Sequence, residues 1–140
     1  MNTYLVLPKP MSLNNAYANV PGRGRVPTKA LTAWKAEAAQ LLACQRPLPR
    51  YDQPVWIRIW AGEVGVNAQQ DTDNMAKLII DAIKREGIIK DDNRKRVPKV
   101  TLEWVEGMFR SIVLIRPAPE KTPLSALTAK INPRFHELIK

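Results

Sequence analysis

Residues 71–92 have the sequence DTDNMAKLIIDAIKREGIIKDD, and this stretch decides how the rest of the chain is interpreted. Apolar side chains recur at helical spacing through its middle and predict a helix from about Thr72 to Arg85. Gly87 follows as a natural C-terminal stop. Aspartates lie at both ends of the stretch, although most charged residues around it are basic. The sequence therefore predicts a core helix with acidic groups concentrated at its two ends.

The segments on either side of this helix predict four strands and one further helix. Strands are expected at residues 3–7, 55–60, 97–106 and 109–115, and a helix capped by Thr28 at residues 29–43. The order β-α-β-α-β-β is typical of an α/β (α+β) fold, a single domain with a mixed sheet of about four strands and two main helices. The polar segment between the first strand and the first helix is expected to be a loop.

Two further expectations concern the middle strand and the C-terminus. Val55, Ile57 and Ile59 lie on one face of the strand at 55–60, and Trp56 and Trp60 lie on the other. Cover by a packed helix is expected for the tryptophans, with base stacking as the alternative. The domain is expected to span residues 1–117, and the tail at 118–140 to be a short helix or disordered.

Composition and charge narrow the class of protein. The 140 residues contain 22 Lys and Arg against 13 Asp and Glu, which gives a net charge of +9. Such a balance favours polyanionic partners, with nucleic acid ahead of membrane, although positive charge can also serve solubility alone. Cys44 is the single cysteine, so an intrachain disulfide and a Cys-rich zinc site are excluded. With neither a signal-peptide pattern nor a bilayer-length apolar run, a cytoplasmic protein is expected.

The aspartates support a divalent-metal site. Asp71 and Asp73 stand two apart at the helix entrance and can converge on one hard cation such as Mg²⁺, which prefers oxygen ligands. Lys77 could add positive charge beside a phosphodiester. The structural alternative is that acids at a helix N-terminus serve as caps. Capping does not explain Asp91 and Asp92 within a basic stretch, and a metal site is therefore favoured.

A family resemblance supports the same interpretation. The run from Asp71 to Lys77, then Asp81, then the run from Gly87 to Asp92, resembles the signature of the RusA family of Holliday-junction resolvases. That signature is Asp-x-Asp-Asn-x-x-Lys, a following Asp, and an Asp-Asp pair after the helix. Residues 10–14 also look like the family's early Pro-Pro-Ser-x-Asn loop, with methionine replacing the second proline. The resemblance covers roughly residues 3–115.

The resemblance implies a homodimeric, Mg²⁺-dependent endonuclease, bacterial or phage-encoded, that cuts four-way DNA junctions symmetrically in recombination and repair. Mn²⁺ is the alternative ion. The family's essential acids match Asp71, Asp73 and Asp92, its catalytic lysine matches Lys77, and Asp91 is a secondary metal ligand. The competing interpretations are a metal-dependent nuclease for other branched or single-stranded DNA, and a non-enzymatic DNA-binding module whose acids cap helices.

Basic residues predict the DNA-contacting surface. Those expected to bind phosphates belong to the N-terminal loop and to the surroundings of the second acidic pair: Arg23, Arg25, Lys29, Lys84, Arg85, Lys90, Arg94, Lys95, Arg96 and Lys99.

The helix length raises a question of geometry. The predicted helix is about 20 Å long, so Asp92 returns to Asp71 within one subunit only if residues 86–92 run back almost straight. The alternative is that the partner subunit supplies Asp92. We expect a single-subunit site.

Overall fold

The computed structural model describes residues 1–67, 69 and 72–140, apart from the side chain of Asp73. The strands are β1 (Thr3–Leu7), β2 (Tyr17–Val20), β3 (Gly24–Pro27), β4 (Val55–Gly62), β5 (Lys99–Val105) and β6 (Ser111–Pro117). The α-helices are α1 (Leu13–Ala16), α2 (Lys29–Cys44), α3 (Lys77–Arg85) and α4 (Leu124–Thr128). Two 3₁₀ helices span Thr72–Met75 and Pro133–Ile139.

Four strands form one mixed sheet in the order β1-β6-β4-β5. β6 pairs antiparallel with both β1 and β4, whereas β4 and β5 run parallel. Parallel neighbours need a crossover connection, and α3 lies in the one that joins β4 to β5. The predicted α+β domain with a four-stranded mixed sheet is confirmed.

The core lies between one face of this sheet and the two long helices. Alternation along β4 buries Val55, Ile57 and Ile59, each at most 1% exposed. They belong to one cluster with the apolar stripes of α2 and α3, which include Leu31 and Ile83. Thr28 caps α2 as predicted, because its hydroxyl accepts a hydrogen bond from Leu31 N at 3.2 Å. No helix in the described ranges is long and apolar enough to cross a membrane.

The expected loop before α2 is wrong in two parts, because it contains the short helix α1 and because β2 and β3 form a two-stranded antiparallel hairpin. Gly22 and Gly24 adopt positive φ angles of 76° and 71° at its turn, a conformation that glycine favours. Both strands are short and mostly exposed, so they lack the apolar alternation that predicts strands elsewhere in the chain.

The prediction of one continuous helix at 72–85 is also wrong. The segment consists of a 3₁₀ turn and α3, which meet at Ala76. Thr, Asp and Asn side chains compete with backbone hydrogen bonding and disfavour a regular helix in this first turn. Thr72 is held by tertiary structure instead, since Trp104 Nε1 donates to its hydroxyl at 3.2 Å.

The tryptophans of β4 lack the expected helical cover from α2 and α3, which pack on the opposite face of the sheet. Cationic side chains lie over both rings instead. The Lys99 ammonium is 4.1 Å from the Trp56 ring centroid, and the Arg58 guanidinium is 4.7 Å from that of Trp60.

Candidate active site

The chain after α3 folds back along that helix and brings two aspartates to its lysines. Lys77 Nζ donates to Asp92 Oδ2 at 2.6 Å and lies 3.0 Å from Asp81 Oδ1. Lys84 Nζ lies 3.1 Å from Asp91 Oδ1 and 3.6 Å from Asp92 Oδ1. Positions 77, 81 and 84 follow one stripe of α3. A compact cluster of two ammonium groups and three carboxylates results.

Burial and backbone hydrogen bonds hold this return segment in place. Gly87 reverses the chain with a φ of 76°, and Ile88 and Ile89 follow at 0% and 3% exposure. Tyr51 N donates to Ile88 O at 2.9 Å, and this hydrogen bond ties the return segment to the chain just before β4. Because its apolar residues are locked into the core, the position of Asp92 is fixed by the fold.

Electrostatics keeps the cluster charged. The hydrogen bond from Lys77 lowers the pKa of Asp92 from its ordinary 3.8 to about 2, although partial burial opposes this effect. The hydrogen bonds to Asp92 and Asp81 raise the pKa of Lys77 in return. The pKa of Lys84 is raised by its hydrogen bond to Asp91. At neutral pH the cluster therefore presents an ionised carboxylate beside a fully charged ammonium.

The predicted catalytic residues are only partly described. Lys77, Asp91 and Asp92 meet as stated above, whereas Asp71 and the side chain of Asp73 lie outside the described residues. The backbone of Asp73 belongs to the 3₁₀ helix that ends two residues before Lys77.

The donor chemistry of Asp91 and Asp92 fits a hard divalent cation, because both offer carboxylate oxygens. The described part of the chain contains no group of three or more His, Cys, Asp or Glu side chains arranged to hold a metal ion.

Two depressions lie beside the segment that leads into α3, and sequence spacing predicts neither of them. An open depression of about 530 Å³ adjoins Lys77 and is lined by Thr72, Ala76, Ile80, Val100 and Leu102. The N-terminal motif lies beside the last residue of the 3₁₀ helix: Pro10, Met11 and Ser12 line a second depression of about 340 Å³ together with Met75. The motif and the helix entrance, about 60 residues apart in sequence, are thus neighbours.

The predicted DNA-contacting residues fall into separate groups. Arg23 and Arg25 are exposed on the β2–β3 hairpin, and Lys29 begins α2. Arg85, Arg94 and Lys95 are exposed near the return segment, where Arg96 is half-buried. Lys84 and Lys90 are engaged with Asp91 and Asp52. Lys99 departs from its expected place near the acidic pair and lies over Trp56 on the sheet.

Comparison with known families identifies the class of protein, since a family model for endodeoxyribonucleases matches residues 8–115. The family is Endodeoxyribonuclease RusA, and because its model covers most of the chain, the chain belongs to this family. A search of curated proteins gave no significant match. The matched residues run from the end of β1 into β6 and contain the whole lysine–aspartate cluster, so the resemblance predicted from the sequence motifs is confirmed.

Proposed function

We propose that this protein is a Mg²⁺-dependent endodeoxyribonuclease that resolves four-way DNA junctions by paired, symmetric hydrolysis of phosphodiesters. The observation that carries this proposal is the 2.6 Å contact between Lys77 Nζ and Asp92 Oδ2 within a domain of the RusA family. It joins the lysine of the helix entrance to the carboxylate that follows the helix. A carboxylate can hold a divalent ion, and an ammonium can stabilise the charge that develops on a phosphodiester.

In this proposal the carboxylates of Asp71, Asp73 and Asp92 hold the ion, Mg²⁺ or alternatively Mn²⁺, with Asp91 as a secondary ligand. The bound ion supplies an acidified water and positive charge at the phosphate. Lys77 contributes a permanent ammonium, which can donate a hydrogen bond to a non-bridging phosphate oxygen. Asp81, at 3.0 Å, holds that ammonium at the helix entrance.

We propose further that each subunit supplies its own Asp92. The support is local: Asp92 already reaches Lys77 of the same chain, and Lys77 lies four residues after Asp73. The buried Ile88 and Ile89 anchor the return path within that chain. A homodimer is proposed because symmetric resolution needs two incisions, and a twofold axis supplies two equivalent sites.

The deciding experiment incubates a synthetic four-way junction with the protein, with and without Mg²⁺. We expect paired nicks at symmetric positions in opposing strands with the ion and none in excess EDTA. Binding of the junction is expected to persist in EDTA. Unpaired nicks on any branched or single-stranded DNA would instead indicate a less selective nuclease. A stable complex that is never cut with either Mg²⁺ or Mn²⁺ would overturn the proposed enzymatic function.

The β2–β3 hairpin gives a separate prediction about DNA affinity. Arg23 lies in the exposed turn between Gly22 and Gly24, and Arg25 is exposed on β3 with its guanidinium 4.7 Å from the Tyr17 ring centroid; we propose that both contact phosphates. The double variant Arg23→Gln/Arg25→Gln should weaken junction binding at low salt and reduce the slope of log affinity against log salt by about two. Fluorescence anisotropy across a salt series measures the slope.

A matched control for the hairpin comes from the C-terminal tail. Lys130 and Arg134 are also exposed cations outside the matched domain, so Lys130→Gln/Arg134→Gln removes the same charge from elsewhere. An equal loss of slope in both double variants would show that only net charge matters, and would contradict a specific role for the hairpin.

A further inference from the structure

The side of the sheet that faces away from α2 and α3 carries a distinctive surface, here called the outer face. It is formed by alternate residues of all four strands: Tyr4, Val6, Trp56, Arg58, Trp60, Lys99, Thr101, Glu103, Ile112, Leu114 and Arg116. The sheet itself separates the outer face from the core and from α3, and therefore from the Lys77–Asp92 cluster.

Exposure on this face is high for a sheet surface. Tyr4 is 63% exposed, Val6 38% and Ile112 36%, whereas their strand neighbours Leu5 and Val113, which point into the core, are 2% and 0% exposed. A contiguous apolar and aromatic patch of this kind marks an interaction surface more often than an ordinary solvated face.

Two aromatic rings of the outer face are stacked on each other. The Tyr4 and Trp60 rings lie nearly parallel, with centroids 6.4 Å apart and planes inclined by 13°. Trp56 stands four residues before Trp60 on the same face of β4. Flat rings displayed on an open four-stranded sheet are the means by which several nucleic-acid-binding domains stack unpaired bases.

Cations lie over the rings of both tryptophans, whereas no cation among the described residues lies over Tyr4. Lys99 and Arg116 lie 4.1 Å and 5.4 Å from the centroid of Trp56, and Arg58 lies 4.7 Å from that of Trp60. Glu103 is the one acid that the four described strands place on this face, and it is already paired with Arg58 at 2.7 Å. The outer face therefore has three cations against one carboxylate, and the unpaired charge lies at the Trp56 end.

We propose that the outer face binds single-stranded DNA, with a base stacked on the exposed ring of Tyr4, which Trp60 supports, and phosphates held by Lys99 and Arg116. This goes beyond the junction-cutting function and does not depend on a metal ion. A second copy of the chain is the less suitable occupant, because a twofold axis through this face would bring its excess cations close to one another. A polyanion that carries flat bases complements both the charge and the rings.

The experiment measures binding of a fluorescent 20-nucleotide oligothymidylate by anisotropy in EDTA, where the proposed cutting function cannot contribute. The variant Tyr4→Ala/Trp60→Ala should weaken binding at least about fivefold, since stacking of a single base has that value or more. The control Phe109→Ala/Phe135→Ala removes two exposed aromatic residues that lie outside the outer face, and should change binding less than twofold. Circular dichroism checks the fold of each protein.

A second variant leaves Trp60 in place, because loss of that ring could weaken binding simply by damaging the sheet. Lys99→Gln/Arg116→Gln replaces exposed charges and should also weaken oligothymidylate binding, with a shallower salt dependence. Unchanged affinity in both the aromatic and the charge variants would overturn the proposal. So would conversion of a dimer to a monomer by these variants with oligothymidylate affinity retained, because the occupant would then be a second copy. Junction cutting by the unaltered protein is scored separately, so the two proposals fail independently.

Discussion

Replacing Asp92 with Asn should reduce the rate of junction cleavage by at least about 100-fold. Loss of one group that stabilises charge at a reaction centre typically lowers the rate by about this factor or more. Asparagine keeps the size of the side chain but removes the ionised oxygen that faces Lys77 at 2.6 Å. Because Asp92 is held by Ile88 and Ile89 and not by its own charge, the fold should survive. Cleavage is measured on a labelled four-way junction in Mg²⁺, and binding on the same junction in EDTA.

Asp52→Asn is the matched control for this variant. Asp52 is also paired with a lysine, Lys90, at 3.0 Å, and its pKa is lowered by that hydrogen bond. Its side chain is 81% exposed and has no contact with Lys77. We expect cleavage by Asp52→Asn to stay within about twofold of the unaltered protein. Full cleavage by Asp92→Asn, or an equal loss in the control, would contradict the assigned role of Asp92.

The same substitution also tests which subunit supplies Asp92. Asp71→Asn and Asp92→Asn proteins are each inactive in the proposed mechanism, and mixing them yields heterodimers. If every subunit uses its own pair, both sites of the heterodimer are defective and no activity returns. Recovery of activity would show that one site has been rebuilt across the dimer, and that the single-subunit site is wrong.

Gly62→Ala should destabilise the fold strongly. Gly62 ends β4, and a Cβ placed there would overlap the carbonyl oxygens of Met108 and Arg110 in the turn between β5 and β6. These are backbone atoms, so no side-chain rotation relieves the overlap. We expect a loss of about 3 kcal/mol in the free energy of unfolding, measured by urea titration followed by circular dichroism.

Gly107→Ala separates this clash from the general cost of replacing a glycine. Gly107 belongs to the same turn region and has a φ of 77°, but a Cβ there would meet no atom within 4 Å. The expected cost is about 1 kcal/mol, from the left-handed backbone alone. Equal losses in the two variants would show that the overlap at Gly62 is relieved by a small backbone shift.

Much of the fold follows from local patterns. Residues 3–7 form β1 as predicted, and α2 ends one residue later than predicted, because in both cases strong apolar patterning coincides with a clear boundary signal. The β2–β3 hairpin escapes prediction because its strands are held mainly by pairing with each other and leave little apolar pattern. The break at Ala76 is a second departure, since the Thr-Asp-Asn run before it has a low intrinsic helix propensity that the spacing of apolar residues does not reveal.

The site is predictable in composition but not in geometry. Lys77 and Asp81 follow from helical spacing alone, as their 3.0 Å contact shows. The approach of Asp92 to Lys77 depends on how Ile88 and Ile89 enter the core, which is a tertiary effect that spacing does not encode. The pairing of Lys84 with Asp91 is unpredicted for the same reason, since sequence alone assigns Lys84 only to DNA.

The position of β6 in the sheet has a consequence for how the protein is made. β6 is the last strand in sequence, yet it lies between β1 and β4 and pairs with both. A chain emerging from the ribosome therefore cannot join β1 to the rest of the sheet until residues 111–117 have been synthesised. Folding of this domain should therefore wait until β6 has been synthesised, and a chain terminated before Ser111 should remain unfolded even though every residue of the proposed active site is already present.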